Sequence, residues 1–190
     1  MAGDDGDPRV KANDSRLIAI DGVSAAAIRD AARRLASSTR RRRGGVSSWG
    51  ASGIFDELGV ADADAGTPSM RTLLLLYAAD LAFRLRWEIG PALEEGRLVI
   101  AAPYVATAVA VGRAAGLDAA WLADLFHFAP PAAEQHLIDS PSAGHSPDHE
   151  GFVELACLHA EKHQGGPTRL ELMDRTRRHL SASVRRPAAG

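Results

Sequence analysis

The chain has 190 residues, one cysteine, an apolar content of 46% and a formal charge of −2, a profile that predicts one globular domain with loose ends rather than two cores. Near-neutral charge argues against a dedicated nucleic-acid binder, one thiol excludes an internal disulfide, and no run approaches the roughly 20 apolar residues of a membrane span. An acidic N-terminus without an apolar signal core adds the expectation of a cytoplasmic protein.

In chain order, residues 1–15 are rich in Asp and Gly and predict a disordered tail. Leu17 to Ile20 is a short apolar run halted at Asp21-Gly22. From Ser24 onward, Ile28, Ala31, Ala32 and Leu35 fall on one helical face, with Ser24 placed to cap it. This is a strand, a tight turn and a helix. After Arg40 to Arg43 and Gly44-Gly45, Val46 to Trp49 suggests a second strand, and a short helix follows around Ile54 to Leu58. Ser69 caps a long helix in which Leu73, Leu76, Tyr77, Asp80, Arg84 and Trp87 are expected to share a side, until Gly90-Pro91 kinks or ends it. Leu98 to Ala102 reads as a buried parallel strand closed by Pro103.

Helices are expected from Val105 to Ala115 and from Asp118 to Phe126, and His136 to Asp139 gives a fourth strand. A polar loop over 142–149 precedes two last helices, near Phe152 to His163 and Arg169 to Leu180. Strands alternating with helices imply an α/β three-layer sandwich with a short parallel sheet of four or five strands. The domain is expected to span residues 16–182, with a flexible tail over 183–190.

Three stretches give this order a family likeness: LLLLYAAD ending at Asp80, GPALEEGRLVI from Gly90 to Ile100, and Tyr104 after the third strand. With Asp21-Gly22-Val23 and Leu137-Ile138-Asp139-Ser140-Pro141, the chain resembles the thymidylate kinases, nucleoside-monophosphate kinases of the P-loop fold. The resemblance covers roughly residues 16–141. It implies that residues 21–29 correspond to the ATP phosphate loop, that Asp80, Arg84 and Tyr104 belong to an acceptor-nucleotide pocket, and that the helix around Leu73 to Trp87 supports a homodimer.

The departures from the family pattern fall on the chemistry. A phosphate loop needs glycines whose amides wrap the phosphates, a Lys for the transferred group and a hydroxyl for Mg²⁺. Here Ala25 and Ala27 stand at glycine positions, Ile28 at the Lys position and Arg29 at the hydroxyl position. A left-handed Ala costs about 1 to 2 kcal/mol, and losing a charge-assisted contact costs about 1.5 to 3 kcal/mol. Arg29 has no lone pair for a metal. Ala102 and Pro103 replace the family's Asp and Arg, and Leu81 replaces the Arg after the long helix's Asp. Drift within a chain whose only lysines are Lys11 and Lys162 does not explain Ile28, because such drift would give Arg.

Other groups have bland alternatives. Arg29 at a helix N-terminus either catches an anion or is merely exposed. Asp80, Arg84 and Tyr104 form either the acceptor pocket or an ion pair beside a buried aromatic. His159 and His163, with Cys157, Glu161, His145 and His149 nearby, suit either a Zn²⁺ or Ni²⁺ site or a solvated helix face; no metal ligand is assigned. Arg40 to Arg43 reads as a solvated connector more readily than as a nucleic-acid contact. The expectation is a thymidylate kinase-like protein with a degenerate phosphate loop, acting as a nucleotide-binding or regulatory module toward an unidentified protein partner. The alternative is an active nucleotide kinase, with ATP and Mg²⁺ as cofactors.

Overall fold

Leu17 to Ile20 and Leu98 to Ala102 carry apolar residues at consecutive positions, as strands need when both faces are covered, and they lie side by side at the centre of the sheet. The computed structural model describes residues 16–39, 43–62, 66–139 and 151–184. Its elements are β1 (Arg16–Gly22), α1 (Ala25–Ser38), β2 (Arg43–Ser48), α2 (Ile54–Glu57), α3 (Met70–Arg84), α4 (Gly90–Glu94), β3 (Leu98–Ala102), α5 (Val105–Ala114), α6 (Ala119–Leu125), β4 (Glu134–Ile138), α7 (Phe152–Lys162) and α8 (Arg169–Val184). The four strands are all parallel, in the order β2-β3-β1-β4, with Ile18 beside Ile100 and Ile20 beside His136.

Because side chains alternate across a strand, the central pair feeds two cores. Leu17, Ala19, Val99 and Ala101 join the larger core, built with α3, α5, α7 and α8. Ile18, Ile20, Ile100 and Ala102 join a smaller one, closed by Ile28 and Ala32 of α1. These are the three layers expected of the sequence. The C-terminal helices complete the larger side, with α8 packed on α5 and α7. No fifth strand occurs among the described residues.

One expectation about the long helix is corrected. Leu73, Tyr77, Asp80 and Arg84 are fully buried, but Trp87 is 65% exposed. The reason is a π-helical turn over Leu85–Ile89 between α3 and α4. A π turn holds an extra residue, so it shifts the phase of the helical path and brings Ile89 inward instead of Trp87. The helical path also does not end at Gly90-Pro91. Pro91 falls in the first turn of α4, where its missing N–H costs little.

Candidate functional site

The carboxyl ends of β1, β2 and β3 open into a cleft of about 710 Å³ that also reaches the N-termini of α1 and α7. Parallel sheets place ligands at this edge because helix N-termini and loop amides converge there. Trp49, Phe55 and Phe152 form its aromatic wall, with ring centroids 4.9 Å apart for Trp49 and Phe55 and 6.4 Å apart for Phe55 and Phe152. Arg29, Arg33, Asp56 and Glu154 supply its charge.

At the sequence-predicted phosphate loop, Val23 and Ser24 alone separate β1 from α1. Gly22 is required for close approach, since a Cβ there would lie 2.7 Å from the carbonyl oxygen of Ile138. The Gly22 amide donates to Thr107 Oγ1 at 3.1 Å, the Ala25 amide to Glu154 Oε1 at 3.0 Å and the Ala27 amide to Ser24 Oγ at 3.3 Å. Ile28 donates to the Ser24 carbonyl at 3.0 Å, and its side chain is buried in the smaller core. The turn is therefore closed on itself. The amides of Gly22, Ala25, Ala27 and Ile28 serve the protein's own oxygens, and a carboxylate from α7 sits on the first amide of α1. Glycine at position 151 permits this, because a Cβ there would come within 2.5 Å of the Ala25 Cβ and 2.8 Å of Glu154 Oε2.

Asp21 lies under the turn, fully buried. Its Oδ1 accepts from the Tyr104 amide at 3.0 Å, the Thr107 amide at 2.9 Å and Thr107 Oγ1 at 2.8 Å. Burial raises its carboxyl above the ordinary range, and the hydrogen bonds from Thr107 and Tyr104 oppose that rise. Asp21 thus fastens β1 to the start of α5.

Asp80, Arg84 and Tyr104 come together, but none of them lines the cleft. Arg84 Nε lies 3.1 Å from Asp80 Oδ2, with both side chains wholly buried, although the pair is not aligned as a hydrogen bond. Asp80 accepts from the Ser52 amide at 3.0 Å and Ser52 Oγ at 2.8 Å, while Arg84 Nη1 donates to the Pro103 carbonyl at 3.0 Å. Tyr104 donates its hydroxyl to Pro130 at 2.8 Å, and burial lifts that hydroxyl to about 12. The set fixes the turn after β2 and the turn after β3 from beneath.

The C-terminal histidines divide. His159 is 1% exposed and its Nε2 lies 2.9 Å from the Val60 carbonyl, whereas His163 is exposed, with Nε2 3.2 Å from the Pro68 carbonyl. The solvated helix face is thus corrected at His159; Cys157, on another face of the helix, is buried with its thiol pushed up to about 12. Burial follows because α7 packs on α3, α5 and α8. Among the described residues no group of three His, Cys, Asp or Glu is placed to hold a metal. His145, His149 and Arg40 to Arg42 lie outside the described residues, and of the Arg43 side chain nothing is described.

Glu154, Thr107 and the aromatic wall escaped the sequence reading. Glu154 meets its partner across 129 positions, and no local pattern announces such a contact.

The fold matches the crystal structure of thymidylate kinase from Ehrlichia chaffeensis with a TM-score of 0.63, over 89% of this chain and 80% of that one, at 14% identity. In sequence, 67 residues are 43% identical to a probable thymidylate kinase of Thermococcus gammatolerans, and 78 residues are 38% identical to one of Pyrococcus horikoshii. The chain is thymidylate kinase-like. These matches take in 35% and 41% of the thymidylate kinase-like chain, and it spans only about a third of the length of those curated relatives, 32% and 38% respectively. No family model matches it. No described helix is long and apolar enough to cross a membrane.

Proposed function

We propose that this thymidylate kinase-like chain no longer carries out ATP-dependent phosphoryl transfer and uses its cleft to bind a nucleotide as a regulatory or protein-interaction module. The observation that carries this reading is the closed turn between β1 and α1, where Ile28 is buried and Glu154 caps the first amide of α1. Residues 21–29 do not fit Mg²⁺–ATP. Ser24 spends its hydroxyl on the helix cap, Arg29 offers no lone pair to a metal, and the Glu154 carboxylate would repel a phosphate brought to the same amide. The partly exposed Trp49 and Arg29, with the exposed Arg33 beside Asp30, leave the rest of the cleft suited to a planar ring with a single anionic group.

A self-associated form belongs to the same proposal. Leu75, Phe83 and Trp87 are exposed on α3 and the π turn after it, an apolar face that a second copy would cover. Calorimetric titration with ATP–Mg²⁺, dTMP and dTDP, alongside a dTMP phosphorylation assay, tests the main reading. Binding of dTMP without ATP binding or turnover is expected. Micromolar ATP binding with dTMP turnover would establish the active kinase instead, its ATP site working with Arg29, other arginines or a partner's residues.

A further inference from the structure

We propose that Glu154 determines the ligand specificity of the cleft, its carboxylate standing at the N-terminus of α1 as an internal substitute for a phosphate and excluding polyphosphates. This rests on reading the cleft as a ligand site without phosphoryl transfer. Glu154 Oε1 accepts from the Ala25 amide at 3.0 Å, and Glu154, Ala25, Arg29 and Arg33 line the same cleft. Its second oxygen, Oε2, is buried and has no hydrogen-bond partner.

Oε2 packs against Gly151 and is closed to the cleft. It is through Oε1 that the residue fills the place to which an oxyanion would be drawn by the helix dipole, and its negative charge repels another oxyanion brought there. Gly151 and the short turn make the arrangement possible by letting α7 approach α1 closely.

The test uses inorganic tripolyphosphate, which carries no base, titrated by calorimetry into wild type, Glu154→Gln and Glu154→Ala. Glu154→Ala should bind it about tenfold more tightly than wild type. Glu154→Gln, which keeps an oxygen for the Ala25 amide but drops the charge, should fall between them. Adding Arg29→Ala and Arg33→Ala to Glu154→Ala should cancel the gain. Equal affinity in wild type and a folded Glu154→Ala overturns the proposal, as does a gain that persists without both arginines. Should Glu154→Ala fail to fold, Glu154→Gln decides alone, with a gain supporting the role of Glu154 and no gain overturning it. Turnover of dTMP by wild type would instead overturn the functional reading, whatever the variants bind.

Discussion

The two polar clusters at the carboxyl edge of the sheet sit only a few residues from one another in the fold, yet they obey different physics. The Asp80–Arg84 pair is sealed from solvent, and its partners are the backbone of two turns, so each member is held by the desolvation cost of losing the other. The turn from Gly22 to Ile28 borders an open cleft, and the amides of Gly22, Ala25, Ala27 and Ile28 are met by nearby oxygens of Thr107, Glu154 and Ser24. A site at a solvated edge can exchange one hydrogen-bond acceptor for another at small cost, whereas a sealed ion pair cannot lose one partner cheaply. That contrast separates a cluster that fixes the scaffold from a turn at which the proposed loss of phosphoryl transfer leaves the fold intact.

The largest expected effect lies in the sealed cluster. Arg84→Ala leaves the Asp80 carboxylate buried without its cation, and the loss of stability measured by chemical denaturation should be about 3 to 5 kcal/mol. The double variant Asp80→Asn/Arg84→Met removes both charges and should recover much of that loss. If Arg84→Ala costs under about 1 kcal/mol, the pair behaves like a surface ion pair and the contrast between the clusters fails.

A smaller effect is expected at the turn. Ile28→Lys restores the cation of the family loop, but it removes a side chain from the smaller core, at a cost of about 1 to 3 kcal/mol that the long Lys stem moderates by reaching into the cleft. The variant should show no ATP-dependent phosphorylation of dTMP, because the two-residue turn and the Glu154 carboxylate remain. Turnover recovered by this single change would mean that the missing Lys, and not the closed turn, is what separates the chain from an active kinase.

The strands and helices were legible because their signals are local. The apolar runs at Leu17 and Leu98, the caps at Ser24 and Ser69 and the break at Pro103 each act within a few residues, and each marks an element of the fold. The placing of Trp87 on the same side as Leu73 to Arg84 failed because a π turn changes the helical phase without any sequence signature in that stretch. At the site, the absence of Lys and of a metal-binding hydroxyl at residues 28 and 29 was readable from residue type alone. The identity of the groups that meet the turn's amides was not, since Glu154 and Thr107 reach the turn from α7 and α5 and only the assembled fold brings them there. The same holds for His159, whose burial depends on the packing of α7 and on the Val60 carbonyl, a partner 99 positions away.

The smallest effect is also the most specific probe of how tightly the turn is bound to the scaffold. Asp21 is buried beneath it, and burial raises its carboxyl above the ordinary 3.8 even though three hydrogen bonds converge on Oδ1. A carboxyl with a raised value in the folded state holds its proton there at a pH where the unfolded chain has released it. Stability therefore falls as pH rises from about 4 toward the folded value, and stays at the lower level above it. Asp118 and Glu171 have lowered values and contribute the opposite slope, losing stability as pH falls. The difference between wild type and Asp21→Asn cancels those contributions and isolates Asp21. Asparagine keeps an oxygen for the Tyr104 and Thr107 amides but never ionises, so its stability relative to wild type should climb as pH is raised above about 4 and then level off. Denaturation curves measured across pH 4 to 8 check this. A relative stability that instead falls with pH would mean that the Thr107 and Tyr104 hydrogen bonds outweigh burial, making the ionised Asp21 the form that anchors β1 to α5.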